Sequence, residues 1–344
     1  MTEAASHDVR PTSDPALRLL AGVAAPLDAV RALVLARLGG RGRTLLRDRA
    51  ARISVYVVVG LVVALVASVL TPLWALALGP LVLGVPHLIS DLRYLVVRPA
   101  LHRQRALAVA VGVPLFFAAA LGSTTLGLAA GLGAIAFTSA ARWKRGVAFV
   151  AWAAVVGAAH HFPHTSTLVV VHGHNLVAIA LFCAAFARTR RNGALLGLGF
   201  VVLAAAVLLG AFDSLFVAST SRVLAVARTL APVSNPTLAV RLVVLFVFAQ
   251  AVHYMVWLRL VPDEARERPG LRTFGSSLKA LREDLGGPVL LLAAVFAVVV
   301  AGRAFGSLEA ARALYLRGAS FHGFLELAFA LRLCMVGRER IVGV

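Results

Sequence analysis

The chain predicts an all-α, polytopic integral-membrane helix bundle of about ten transmembrane helices with both termini cytoplasmic, on three observations. Hydrophobic residues make up 60% of the 344 and charged residues only 14%, with a mean hydropathy of +0.89, far outside soluble norms. Apolar runs of about 18 residues or more recur, each long enough to cross a hydrocarbon core of roughly 30 Å as a helix. Backbone groups in lipid must be satisfied internally, which makes the helix the default. Lys and Arg collect in alternate connections, as the positive-inside rule requires.

Taken in order, residues 1–52 form a basic segment without the layout of a signal peptide. Within it, "PALRLLAGVAAPLDAVRALVLARLGG" (15–40) has amphipathic helical spacing, interrupted at Pro26 and closed by Gly39-Gly40, and is expected on the inner leaflet. The transmembrane domain, 53–336, then reads as spans at about 53–71, 74–95, 106–122, 125–141, 146–161, 167–187, 194–212, 238–258, 287–304 and 311–333. A short cytoplasmic tail, 337–344, follows.

The charges sort by side. Arg31 to Arg52 precede span one, Arg93 to Arg105 follow span two, and "RWKR" (142–145), "RTRR" (188–191) and "DEARERPGLRTFGSSLKALRED" (263–284) follow spans four, six and eight. The intervening "TPLW" (71–74), "GSTT" (122–125) and "HHFPH" (160–164) carry no Lys or Arg. A net charge of +19 placed beside spans argues for orientation and attraction to anionic lipid rather than to nucleic acid. The expected location is a bacterial inner membrane. Cys183 and Cys334, inside or at the end of spans and without a CxxC spacing, are expected as free thiols. The longest outer connection, 213–236, predicts a surface helix around 216–230.

Ionisable residues inside spans are costly and tend to be functional. Here they are few: His87 and Asp91 in span two, His172, His174 and Asn175 in span six, Gln250, His253 and Tyr254 in span eight, and His322 and Glu326 in span ten. At about 1.5 Å rise per residue, His87, His174, His253 and His322 all fall within roughly 10 Å of the midplane. A metal held between helices requires such a shared depth. Asp91 and Glu326 each lie four residues after a histidine, one turn along the same face, where a carboxylate fixes an imidazole tautomer. Gln250, His253, Tyr254 and Trp257 share a polar stripe that should face inward. His172 points nearly opposite His174 on an ideal helix. In the outer connection, His160, His161 and His164 form a separate cluster; it either binds metal or merely ends one helix at Pro163 and starts another.

Imidazole-rich sites suit iron, copper or zinc, and open positions suit ferrous iron handling oxygen. A site within the bilayer implies a lipophilic substrate. "GVPHLISD" (84–91) resembles the Pro-His-Gly-x-x-Asp segment of the bacterial and archaeal Brp/Blh membrane β-carotene dioxygenases. That resemblance implies a multi-helix fold, histidine-held iron and cleavage of β-carotene to retinal, with His87 an iron ligand and Asp91 its support. Leu88 stands where the family has glycine, and the family's paired His-x-x-x-His segment is missing.

The expected function is therefore a membrane oxygenase dependent on a metal, iron first, acting on a carotenoid-like or other lipid substrate. His87, His174, His253 and His322 would hold the metal, Asp91 and Glu326 would orient them, and Tyr254 and Gln250 would serve bound oxygen or water; His172 and Asn175 lie beside the set. Two alternatives remain open: a b-type haem electron carrier with two axial histidines, and a proton-coupled transporter using His and carboxylates as relays.

Overall fold

Six of the thirteen helices among the described residues begin where a short polar side chain takes up a free backbone N–H. Asp48, Ser123, Thr189, Asn235, Thr273 and Ser307 each accept from the backbone N–H three residues on. Pro72, Pro163 and Pro236 occupy first-turn positions, where a missing N–H costs nothing. The computed structural model describes residues 15–215 and 220–337, and every element among them is helical. The expected tail 337–344 lies outside the described residues except for Gly337, as do residues 1–14 of the basic segment and 216–219 of the outer connection.

The helices run α1 Pro15–Arg37, α2 Gly39–Arg47, α3 Arg49–Leu70, α4 Pro72–Val97, α5 Arg105–Leu121, α6 Thr124–Ala136 and α7 Arg142–His161. They continue with α8 Pro163–Phe186, α9 Arg190–Leu208, α10 Thr220–Leu230, α11 Pro236–Glu264, α12 Phe274–Gly306 and α13 Leu308–Val336. Each of the ten expected apolar stretches is a helix. Seven of them, α3, α4, α8, α9, α11, α12 and α13, are long and apolar enough to cross a membrane; α5 and α6 are shorter, and α7, which begins with the basic RWKR, is not among the seven.

Two local expectations change and two hold. Pro26 does not interrupt α1, which runs through it to Arg37. Gly39, at φ 56°, ends that helix as expected. The stretch 274–284, read as part of a loop, is helical: Thr273 caps it, and Gly286, at φ 79°, kinks it away from the apolar run that follows. The surface helix of the outer connection is α10, which buries Val223 and Ala227 against α11.

Burial ranks the helices. α11 is central, with 67% of its most apolar window buried, and packs against α3, α4, α8, α9 and α10; α12, at 6%, is peripheral. Together with α11, helices α4, α8 and α13 close a ring in which each touches the next, α4 to α11 to α8 to α13 and back to α4. Close approach relies on small residues: a Cβ at Gly84 of α4 would stand 2.3 Å from Tyr315 of α13, and one at Gly127 of α6 the same distance from Phe324. Single π-helical turns interrupt three ring helices, at Gly79–Leu83 and Leu92–Val97 in α4, Phe182–Phe186 in α8 and Val256–Leu260 in α11. Such turns gather at functional sites.

Candidate metal centre

The ring of four helices brings together one histidine from each. Ring centroids lie 4.8 Å apart for His87 and His253, 4.6 Å for His87 and His322, and 5.3 Å from His174 to both His253 and His322. His87 and His253 are each 1% exposed, while His174 and His322 are half-buried, so the cluster is sealed on one side and accessible on the other.

Backbone hydrogen bonds aim the rings. Nδ1 of His87 lies 3.2 Å from the Gly84 carbonyl, Nδ1 of His174 lies 3.2 Å from the Val170 carbonyl, and Nδ1 of His322 bonds the Ala319 carbonyl. A carbonyl accepts only, so each Nδ1 carries the proton and each Nε2 presents a bare lone pair. The Nε2 of His253 then lies 2.9 Å from Nε2 of His87. Nitrogens bound side by side to one ion at roughly 2.1 Å stand about 3 Å apart.

Carboxylates add more acceptors. Asp91 Oδ2 lies 3.2 Å from His87 Nε2, and both Asp91 oxygens are buried without a hydrogen bond. Glu326 accepts from the Trp257 indole at 2.7 Å through Oε1, which lies 3.5 Å from His253 Nε2, and leaves Oε2 without a partner. Ligand atoms of His87, His253 and His322 lie within 4.8 Å of one another, and so do those of His87, Asp91 and Glu326; His174, expected as a fourth ligand, meets the rings of His253 and His322 but belongs to neither group. Acceptor atoms thus converge without matching donors in one largely buried space. Buried charge of this kind persists when it is neutralised or binds a metal.

The other expected site residues are placed as follows. Asp91 does sit one turn along from His87, but Glu326 reaches across to His253 and Trp257 rather than to His322 on its own helix. Neither carboxylate pairs with Arg93, which binds Asp284 at 2.6 Å. His172 turns away from the cluster: its Nε2 lies 2.7 Å from the Leu230 carbonyl and its ring packs on Phe246. Asn175 is fully buried and donates back to Val171, leaving Oδ1 without a partner. Tyr254 packs edge-on to His87 at 5.1 Å and accepts from Gln250 Nε2 at 3.4 Å; both line a cavity of about 330 Å³ between α3, α4 and α11. His160 and His161 meet edge-on, ring centroids 5.6 Å apart, at the end of α7, and with His164 they are exposed; they are not among the groups of ligand atoms able to share an ion in the described residues. Both cysteines are free.

Two residues went unforeseen. Ser90 donates to the Trp257 carbonyl and ties α4 to α11, and Tyr315 buries its side chain against Gly84 with its hydroxyl beside that of Tyr254. Tyr315 lies seven residues before His322, two turns along one face, and that spacing was the available signal.

A separate apolar cavity of about 730 Å³ lies between α4, α5, α12 and α13. The four clustered histidines do not line it, but His102 does, as do Phe321 and Leu325, the neighbours of His322 and Glu326. No family model, no curated protein and no solved structure matches the chain. The site is therefore read from its own geometry.

Proposed function

We propose that the protein is a membrane oxygenase whose histidine cluster holds a transition metal, iron first, and acts on a lipophilic, carotenoid-like or other lipid substrate. The observation that carries this reading is the convergence of bare Nε2 lone pairs and unpartnered carboxylate oxygens in one buried space. Mixed imidazole and carboxylate donors suit ferrous iron among the common metals. When bound, such an ion supplies the chemistry that activates oxygen.

The protein's own groups prepare the site. Carbonyls of Gly84, Val170 and Ala319 fix the tautomers of His87, His174 and His322, and Trp257 holds Glu326 in place. Tyr254, steadied by Gln250, offers a hydroxyl beside His87. Apolar side chains of the surrounding core exclude water, and the cavity beside Phe321 and Leu325 suits an elongated hydrophobic molecule arriving from the lipid. The resemblance of residues 84–91 to the β-carotene dioxygenases adds a substrate class to this reading without deciding it. We further place all ten apolar helices across a bacterial inner membrane with both termini cytoplasmic, as the alternation of arginine-rich connections supports.

The haem alternative is less well supported. Axial nitrogens on opposite faces of one haem iron stand about 4 Å apart. Here the closest pair is 2.9 Å apart. Proton-coupled transport stays a competing reading because Asp91 and Glu326 are buried ionisable groups. Oxygen uptake by iron-loaded protein in lipid nanodiscs, with and without an added lipophilic polyene, tests the proposal. Substrate-dependent uptake is expected; no uptake, together with proton flux in liposomes, would replace it with the transport reading.

A further inference from the structure

At the end of the bundle where α3 begins and α11 ends, the segment 265–273 is held by arginines from elsewhere in the chain. Arg98 donates to the carbonyl of Ala265 at 3.0 Å, Arg188 to that of Arg266 at 3.0 Å, and Arg49 to those of Arg266 and Arg268 at 2.6 and 2.7 Å. Arg52 reaches the Pro269 carbonyl at 2.7 Å and Arg31 the Arg272 carbonyl at 2.8 Å. The backbone of this loop is fixed through its carbonyls. Its own arginine side chains are left to line a cavity of about 830 Å³, where Arg266, Arg268 and Arg272 meet Arg98 and the hydroxyl-bearing Thr273 and Ser276.

Four arginines there face two carboxylates, Glu267 and Asp284, and Asp284 is already engaged by Arg93 and Arg98. Arg268 and Arg272 make no ion pair among the described residues. Arg266 is the more telling. Its side chain is nine-tenths buried, it shares the carboxylate of Asp263 with Arg52, and its Nε has no partner. Burial, followed by repulsion from Arg52, Arg49 and Arg272, lowers this guanidinium to about 10. A cavity that crowds cations together without matching acids is electrostatically incomplete.

We propose that this cavity is a binding site for a phosphate-bearing anion, supplied either by an anionic lipid headgroup or by a soluble phosphate ester. Guanidinium forks match phosphate oxygens in pairs, and the cavity volume exceeds what a simple halide needs. An anion seated there would neutralise the excess charge and brace the loop that joins α11, which carries His253, to α12.

The test uses the full chain in nanodiscs of pure phosphatidylcholine, titrated calorimetrically with inorganic pyrophosphate. A second arm compares thermal stability in phosphatidylcholine nanodiscs with and without phosphatidylglycerol. The variant is Arg268→Gln/Arg272→Gln, whose side chains are exposed, with circular dichroism confirming its fold. Saturable pyrophosphate binding that is about tenfold weaker in the variant supports the site with a soluble source. Stabilisation by phosphatidylglycerol alone, lost in the variant, supports it with a lipid source. Wild-type protein that responds to neither ligand overturns the proposal whatever the variant does, and so does an equal response from both proteins.

Discussion

His253 Nε2 lies 2.9 Å from His87 Nε2 although 166 residues separate the two along the chain. Because Nδ1 of His87 gives its proton to the Gly84 carbonyl, only one proton at most is available to that contact. At 2.9 Å the contact is an ordinary N–H···N hydrogen bond from His253 to His87, and the same spacing is the one two ligands of a single ion need. The proposed metal site rests on that spacing together with the carbonyl-fixed tautomers and the carboxylate oxygens left without partners.

Trp257 is the hinge of the carboxylate side. Replacing it by Trp257→Phe keeps an aromatic ring but removes the donor to Glu326 Oε1, leaving a fully buried carboxylate without any hydrogen bond. Loss of a partner that orients a ligand typically weakens metal affinity by about 10–100-fold. A competition titration with a chromogenic chelator checks this, and an unchanged affinity would remove Glu326 from the site.

Arg52 and Asp263 form a bidentate pair, at 2.6 and 2.8 Å, with both side chains almost wholly buried. Breaking such a pair from one side costs about 3–5 kcal/mol when the other charge is stranded; Arg266 stays on Asp263 here, so the expected cost lies toward the lower end of that range. Arg52→Ala is expected to lower the detergent-solubilised melting temperature sharply. Arg52→Lys should rescue little, since an ammonium cannot reproduce the fork that also reaches the Leu45 and Pro269 carbonyls.

Gly84 carries two duties, letting Tyr315 approach and offering its carbonyl to His87. A methyl at Gly84→Ala would meet the Tyr315 ring at 2.3 Å, and overpacking of this kind costs about 1–3 kcal/mol. Gly112→Ala, in open space on α5, is the control and should be neutral or slightly stabilising. Thermal unfolding of the two variants side by side decides it; equal melting temperatures would show that the α4–α13 contact is loose.

Much of the fold was legible in the residues, because hydropathy marks apolar helices and short polar side chains mark their starts. Asp48, Ser123, Thr189 and Asn235 each cap a helix at or within a few residues of where an apolar run begins. The common depth of His87, His174, His253 and His322 was legible too, since rise per residue is nearly constant. Rotation about each helix axis was not. The π turns at 79–83, 92–97 and 256–260 lie close to the site residues on α4 and α11, and each adds a residue to a turn and so shifts every face beyond it. Glu326 was read as the partner of His322 on ideal spacing, yet packing turns it toward His253 and Trp257. The opposite facing of His172 and His174 was legible because no such turn separates them.

Metal content of the purified full-length protein, measured by mass spectrometry of the elements beside His87→Ala and His253→Ala, tests the central proposal most directly. At least one equivalent of a transition metal, iron foremost, in the wild type and its loss in both folded variants is the predicted result. Wild-type protein without stoichiometric metal after reconstitution with ferrous iron, or folded variants that keep the full complement, would contradict it.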